Sequence, residues 1–176
     1  MKIKGSHTLD TDKKTIWEML IDPAVLAEIT PGVSKLERIE GDKFIAVSDV
    51  KIGPVRGTFQ GNMILKNKIE NEKMTVVFDQ KSNMGNAIAE IVMSLNTLED
   101  GKTEISYEGD AKLSGRLASM GQRITGGVIS TLSKEFFKEL EKELIREGKV
   151  VVEKEEKISL WQKIIEFFSN LFRRKQ

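Results

Sequence analysis

The sequence predicts an α+β fold in which a curved antiparallel sheet grips a long C-terminal helix. Three observations carry this. A strand-like segment and two short helices come first, six strand-and-turn units then follow with no helical interval, and a helical period closes the domain. Residues 1–146 form this domain, 147–157 read as a charged linker, and 158–176 as an appended amphipathic helix.

Ile3 to Leu9 alternates apolar and polar residues as a half-buried strand does. Asp10 or Thr11 then opens a short helix carrying Ile16, Trp17 and Leu20. Asp22-Pro23 starts a second, with Asp as N-cap and Pro at the first helical position, and Thr30-Pro31-Gly32 stops it. From Val33 to Leu113, turn signals at Glu40-Gly41-Asp42, Gly53-Pro54, Asn71-Glu72, Asn83 to Asn86 and Glu99-Asp100-Gly101 separate six strands. Consecutive strands without crossovers make an antiparallel meander. The last helix is expected from Ser114 to Arg146, with Leu117, Met120, Ile124, Val128, Leu132, Phe136, Leu140 and Leu144 facing the sheet.

Strand alternation places Phe44, Ala46, Ser48, Val50 and Ile52 on the face toward that helix, followed by Val55, Gly57, Phe59, Gly61, Met63 and Leu65. Met74, Val76 and Phe78 continue the face, as do Ala87, Ala89, Ile91 and Met93, then Ile105, Tyr107, Gly109, Ala111 and Leu113. Many of these are small, and Gly121, Gly126 and Gly127 add small residues on the helix. Small residues on both surfaces mean either close helix-to-sheet contact or empty volume, and glycines also curve sheets. Each helical glycine costs roughly 1 kcal/mol relative to alanine, so close packing, a ligand or a helix that bends must compensate. Met63, Met74, Met84, Met93 and Met120 suit an irregular apolar lining. Ser48, Gln80 and Tyr107 are the polar groups on the same face.

Charge and composition exclude several function classes. Lys and Arg number 28 against 27 Asp and Glu, so no broad basic field points to nucleic acid. The chain has no cysteine, which removes disulfides, thiolate nucleophiles and Cys-ligated metals. Met-Lys-Ile-Lys-Gly at the start lacks the apolar core of a secretory signal, and no stretch is long enough to span a bilayer, so a cytoplasmic location is expected. His7 is the single histidine, no serine sits in a nucleophile elbow, and Asp49, Glu90, Glu104 and Glu108 fall on the outward parity. No metal site, acid/base pair or catalytic residue is nominated, and a binding protein is expected rather than an enzyme. Arg116 and Arg123 share a helix face as a solvated edge, with docking to a partner or an acidic headgroup as the sharper alternative.

In the last segment Trp161, Ile164, Ile165, Phe168, Leu171 and Phe172 line one helical face, and Arg173, Arg174 and Lys175 follow. A helix folded back on the domain, or paired in a dimer, presents the same stripe. The charged run Glu153 to Lys157 before it favours a tethered helix lying in the membrane interface, with Trp161 to Phe172, Arg173 and Arg174 as its contacts. Peripheral association with the inner face of the cell membrane is the expectation.

Thr30-Pro31-Gly32-Val33, the stretch Val50 to Gly61 (VKIGPVRGTFQG) and the stretch Ser114 to Arg123 (SGRLASMGQR) resemble the signature segments of the CoxG family of carbon monoxide dehydrogenase subunits. That family lies in the START-like (SRPBCC, Bet v1-like) helix-grip superfamily, and the likeness covers about residues 1–145. Many relatives place a cysteine after the Pro-Gly pair, where this chain has Val33. The resemblance implies a lipid-like ligand, an isoprenoid quinone such as menaquinone, held without a covalent cofactor. It also implies a carbon monoxide dehydrogenase or related molybdenum hydroxylase as partner. On this reading Phe59, Met63, Phe78, Ala87, Ala89, Met93, Tyr107, Gly109, Met120, Ile124 and Val128 would contact the ligand. A membrane adaptor with a filled core is the alternative. A superfamily enzyme, such as a cyclase or hydrolase, is a further one, with His7 and Tyr107 the available inward polar pair.

Overall fold

The computed structural model describes residues 1–149. The expected linker from residue 150 onward and the amphipathic helix 158–176 lie outside the described residues.

Strand β1 (Lys2–Leu9) leads into α1 (Lys13–Ile21) and α2 (Pro23–Ile29). The first helix begins slightly later than the sequence signals indicate, because Asp12 is its N-cap. The Asp12 carboxylate accepts the Thr15 amide at 3.0 Å and the Thr15 hydroxyl at 2.8 Å. Asp22 caps α2 by accepting from the Ala24 amide at 2.8 Å. Gly32, at φ 72°, then lets the chain turn into the sheet, where an added β carbon would lie 2.5 Å from the Asp49 carbonyl oxygen.

Six strands follow: β2 (Val33–Glu40), β3 (Lys43–Ile52), β4 (Val55–Ile69), β5 (Lys73–Ser82), β6 (Gly85–Thr97) and β7 (Thr103–Leu113). They form one antiparallel sheet in the order β1-β7-β6-β5-β4-β3-β2. The meander therefore reads as expected, with β1 returning to pair beside β7, Lys2 opposite Asp110 and Leu9 opposite Thr103.

The C-terminal helix differs from the expectation. It is two helices, α3 (Gly115–Ser119) and α4 (Gly121–Arg146), because Gly121 adopts φ 76° and breaks the ladder. A Schellman motif closes α4: Gly148, at φ 66°, donates its amide to the Ile145 carbonyl at 3.1 Å, and Lys149 donates to Leu144 at 2.9 Å. Residues 147–149 thus belong to this helix end, and the Thr11 hydroxyl reaches the Lys149 carbonyl at 3.3 Å.

Two apolar clusters hold the fold. The larger joins Leu9, α1, α2 and the inner face of the sheet to Phe137, Leu140 and Leu144 in the second half of α4. The smaller joins Val55, Phe59 and Met84 to Leu117 of α3 and Val128 of α4.

Candidate functional site

Between these two clusters lies a cavity of about 350 Å³. Its floor is the inner face of the sheet: Ser48 and Val50 from β3, Val55, Phe59, Met63 and Leu65 from β4, and Met74, Val76, Phe78 and Gln80 from β5. Ala87, Ala89 and Met93 of β6 and Tyr107, Ala111 and Leu113 of β7 complete it. The roof is Leu117 with Thr125, Val128, Ile129, Leu132, Ser133, Phe136 and Phe137 of α4. Leu20, Leu26, Thr30 and Pro31 close one side. The wall is almost wholly aliphatic and aromatic, so desolvation of an apolar guest is its main source of binding energy.

The few polar groups are informative. Gln80 is only 9% exposed, and its side-chain amide nitrogen donates to the Asn62 carbonyl oxygen at 3.2 Å. A carbonyl only accepts, so this bond fixes which end of the amide is nitrogen. Oε1 is left buried with no hydrogen-bond partner. An unpartnered buried acceptor costs about 1–3 kcal/mol, which a hydroxyl donor on a guest would offset. Thr125, by contrast, is satisfied locally by donating to the Gly121 carbonyl at 3.0 Å.

His7 and Tyr107 both pack on Phe137, with ring centroids 4.7 and 5.7 Å away respectively. His7 Nε2 is engaged by Glu141 Oε1 at 2.8 Å, so β1 is fastened to α4 there. That arrangement gives His7 a structural partner, and it forms no hydrogen-bonded pair with Tyr107. Among the described residues no cluster of His, Cys, Asp or Glu has the makeup of a metal site.

A family model for CoxG, a carbon monoxide dehydrogenase component, matches residues 5–145. The chain belongs to the CoxG family. No curated protein sequence matches it. Among solved structures, a conserved protein from Geobacillus kaustophilus is similar at 28% identity and TM-score 0.80, over 83% of this chain and 96% of that one. A START superfamily protein from Mycobacterium smegmatis shares the fold at 10% identity and TM-score 0.67, over 82% and 97% of the two chains. The Zhui aromatase/cyclase of a Streptomyces species does so at 13% identity and TM-score 0.65, over 85% and 96%. The CoxG-family domain therefore has a START-like helix-grip fold, and family and fold together point to a domain that binds a hydrophobic ligand.

Within this CoxG-family cavity, eight of the residues expected from sequence meet in the wall: Phe59, Met63, Phe78, Ala87, Ala89, Met93, Tyr107 and Val128. Three do not. Ile124 is 42% exposed, because the break at Gly121 re-phases α4 and turns Thr125 inward instead. Met120 packs in the smaller cluster at the break, outside the wall. Gly109 is small for the backbone's sake: a β carbon there would come 2.1 Å from the Glu90 carbonyl oxygen on β6. Gly61 is alike, 1.9 Å from the Asp79 carbonyl oxygen, so these glycines let the sheet curve. Met84 also lies in the smaller cluster, off the wall. The sequence reading missed Leu20, Leu26, Thr30 and Pro31, which reach the cavity only through tertiary folding, and Phe137, whose neighbour Phe136 fitted the heptad pattern. Ser133, a polar residue beside Leu132, carried no sequence signal at all.

Proposed function

We propose that this CoxG-family protein is a carrier for an isoprenoid quinone such as menaquinone, holding its ring in the cavity and exchanging it with a membrane. The observation that carries the reading is an apolar cavity of about 350 Å³ whose buried, unpartnered polar group is Gln80 Oε1. That volume is near the lower end of the ~300–1,000 Å³ range of ligand pockets. It suits a ring and the first part of a prenyl chain, so a longer chain needs the wall to move. Gly126 and Gly127 of α4 support such movement, because a β carbon at either would touch nothing within 4 Å. They do not serve close packing. His7 is engaged by Glu141 rather than by Tyr107, which suits a carrier better than an enzyme. The family's name points to a carbon monoxide dehydrogenase or related molybdenum hydroxylase as the receiving enzyme.

No helix among the described residues is long and apolar enough to cross a membrane. On this proposal residues 158–176 tether the protein in the interface through Trp161, Ile164, Ile165, Phe168, Leu171, Phe172, Arg173 and Arg174, which keeps the effective concentration of carrier near the bilayer high. The test is to incubate the full chain with quinone-containing vesicles, re-isolate it, and extract it for mass spectrometry. Stoichiometric prenyl quinone is the expected result. Vesicle binding without quinone would instead make the protein an adaptor.

A further inference from the structure

We propose that the end of the sheet beside α3 docks on an anionic lipid bilayer. The near-zero net charge conceals a separation of charge along the strand axis. Residues 50–57, 80–87 and 111–124 meet at one end, where the Leu117 amide donates to the Met84 carbonyl at 3.1 Å and the Asn86 amide to Ser114 Oγ at 3.0 Å. An added β carbon on Gly57 would lie 3.1 Å from Asn83 Oδ1, which brings the β3–β4 hairpin to the same end. These segments contain Lys51, Arg56, Lys81, Lys112, Arg116 and Arg123, and no Asp or Glu. All six are exposed, and among the described residues none makes an ion pair. The nearest carboxylates in sequence, Asp49, Asp79 and Asp110, stand further along the strands, and Asp110 is bound to Lys2 at 2.8 Å.

The opposite end carries the other sign. Its three hairpin turns hold Glu40 and Asp42, Glu70 and Glu72, and Glu99 and Asp100. The Leu95 amide donates to the Glu72 carbonyl at 2.7 Å, and Thr103 Oγ1 donates to the Thr11 carbonyl at 2.8 Å, so this end also includes the start of α1 and Lys149.

Such a charge dipole orients the molecule in the field of an anionic surface, with the basic end inward. An exposed apolar side chain, Ile124, stands next to Arg123 at that end and suits the headgroup boundary. Unlike an acidic protein partner, a bilayer can engage a ring of bases spread over a hairpin, two strands and two helices without matching geometry. Docking here presents Leu117 and the first turns of α4, part of the cavity roof, to the lipid. The inference concerns a different surface from the tail and stands whether or not the cargo is a quinone.

The test uses the full chain, whose lack of cysteine allows single reporters at Gln122→Cys and Glu99→Cys. Each is labelled with a fluorophore and mixed with quinone-free vesicles of phosphatidylcholine and phosphatidylglycerol that carry a headgroup quencher. The expected result is quenching at position 122 at least about threefold greater than at 99, reduced by salt. It should be lost in Arg116→Glu/Arg123→Glu and again in Lys51→Glu/Arg56→Glu. Attachment only through residues beyond Lys149 would bring position 99 nearer the lipid. Greater or equal quenching at 99, or a signal at 122 that both charge reversals leave intact, overturns the proposal.

Discussion

The Gln80 side chain is held by Asn62: the amide nitrogen donates to the Asn62 carbonyl at 3.2 Å, and the opposite oxygen is left as a buried, unused acceptor. A quinone carries only acceptors where its reduced form carries hydroxyl donors. The expected outcome is that the protein binds a hydroquinone analogue roughly tenfold more tightly than the matching quinone, since one tenfold step is about 1.4 kcal/mol, within the range for such a group. Anaerobic titration checks this. Gln80→Leu should erase the preference while retaining affinity for the apolar part of the ligand.

Ala89 and Gly109 pair on either side of β6–β7 with different neighbours, Ala111 and Ile91, and respond differently to enlargement. Ala89 lines the cavity, so Ala89→Phe should fill it, abolish ligand capture and leave the unfolding midpoint within a few degrees. Gly109→Ala places its methyl group into the Glu90 carbonyl and should destabilise by about 1–3 kcal/mol, as overpacking does. Comparison of ligand-binding titrations with thermal unfolding separates the two.

Gly126 and Gly127 lie within α4 with open space beside them. Alanine at both should raise stability by about 0.5–1 kcal/mol each through lost unfolded-state freedom. If α4 bends to pass the ligand, the same double substitution should slow release. Denaturant unfolding and stopped-flow displacement together read this, and unchanged release rates would assign these glycines no role in exchange.

Asp12 tests the capping of α1. Its carboxyl is held below the usual range, first by the Thr15 amide and then by the Thr15 hydroxyl. The folded state therefore favours the charged form, so the cap's contribution is complete above the unfolded carboxyl's pKa and fades as pH falls through the lower folded value. Asp12→Ala should cost about 0.5–1 kcal/mol at neutral pH, the lower part of the range for an exposed cap. The deficit should shrink in acid, as urea unfolding repeated below about pH 4 would read.

Much of this architecture was legible because strands and turns are local. The five turn signals fall between the strands they separate, and period-two alternation put Ser48, Gln80 and Tyr107 on the cavity face. The helix was harder. A continuous heptad from Leu117 to Leu144 passes through Gly121, whose left-handed backbone resets the phase, so Ile124 points outward and Thr125 inward. Glycine identity also carried two meanings that sequence does not separate. Gly109 and Gly61 admit a neighbouring strand's backbone, while Gly126 and Gly127 border open space. Nor can a linear pattern reveal that the α1–α2 corner, through Leu20 and Pro31, forms a side wall for strands far along the chain.

The 26 residues of α4 run for about 39 Å, from the basic end to Lys149 beside Thr11. Whatever follows Lys149 is thus attached at the far side of the domain from the lipid-seeking surface. A leash fixed there acts as a gimbal: the body can tip its roof down to the bilayer to load, then roll it up toward an enzyme to unload, without the anchor ever letting go.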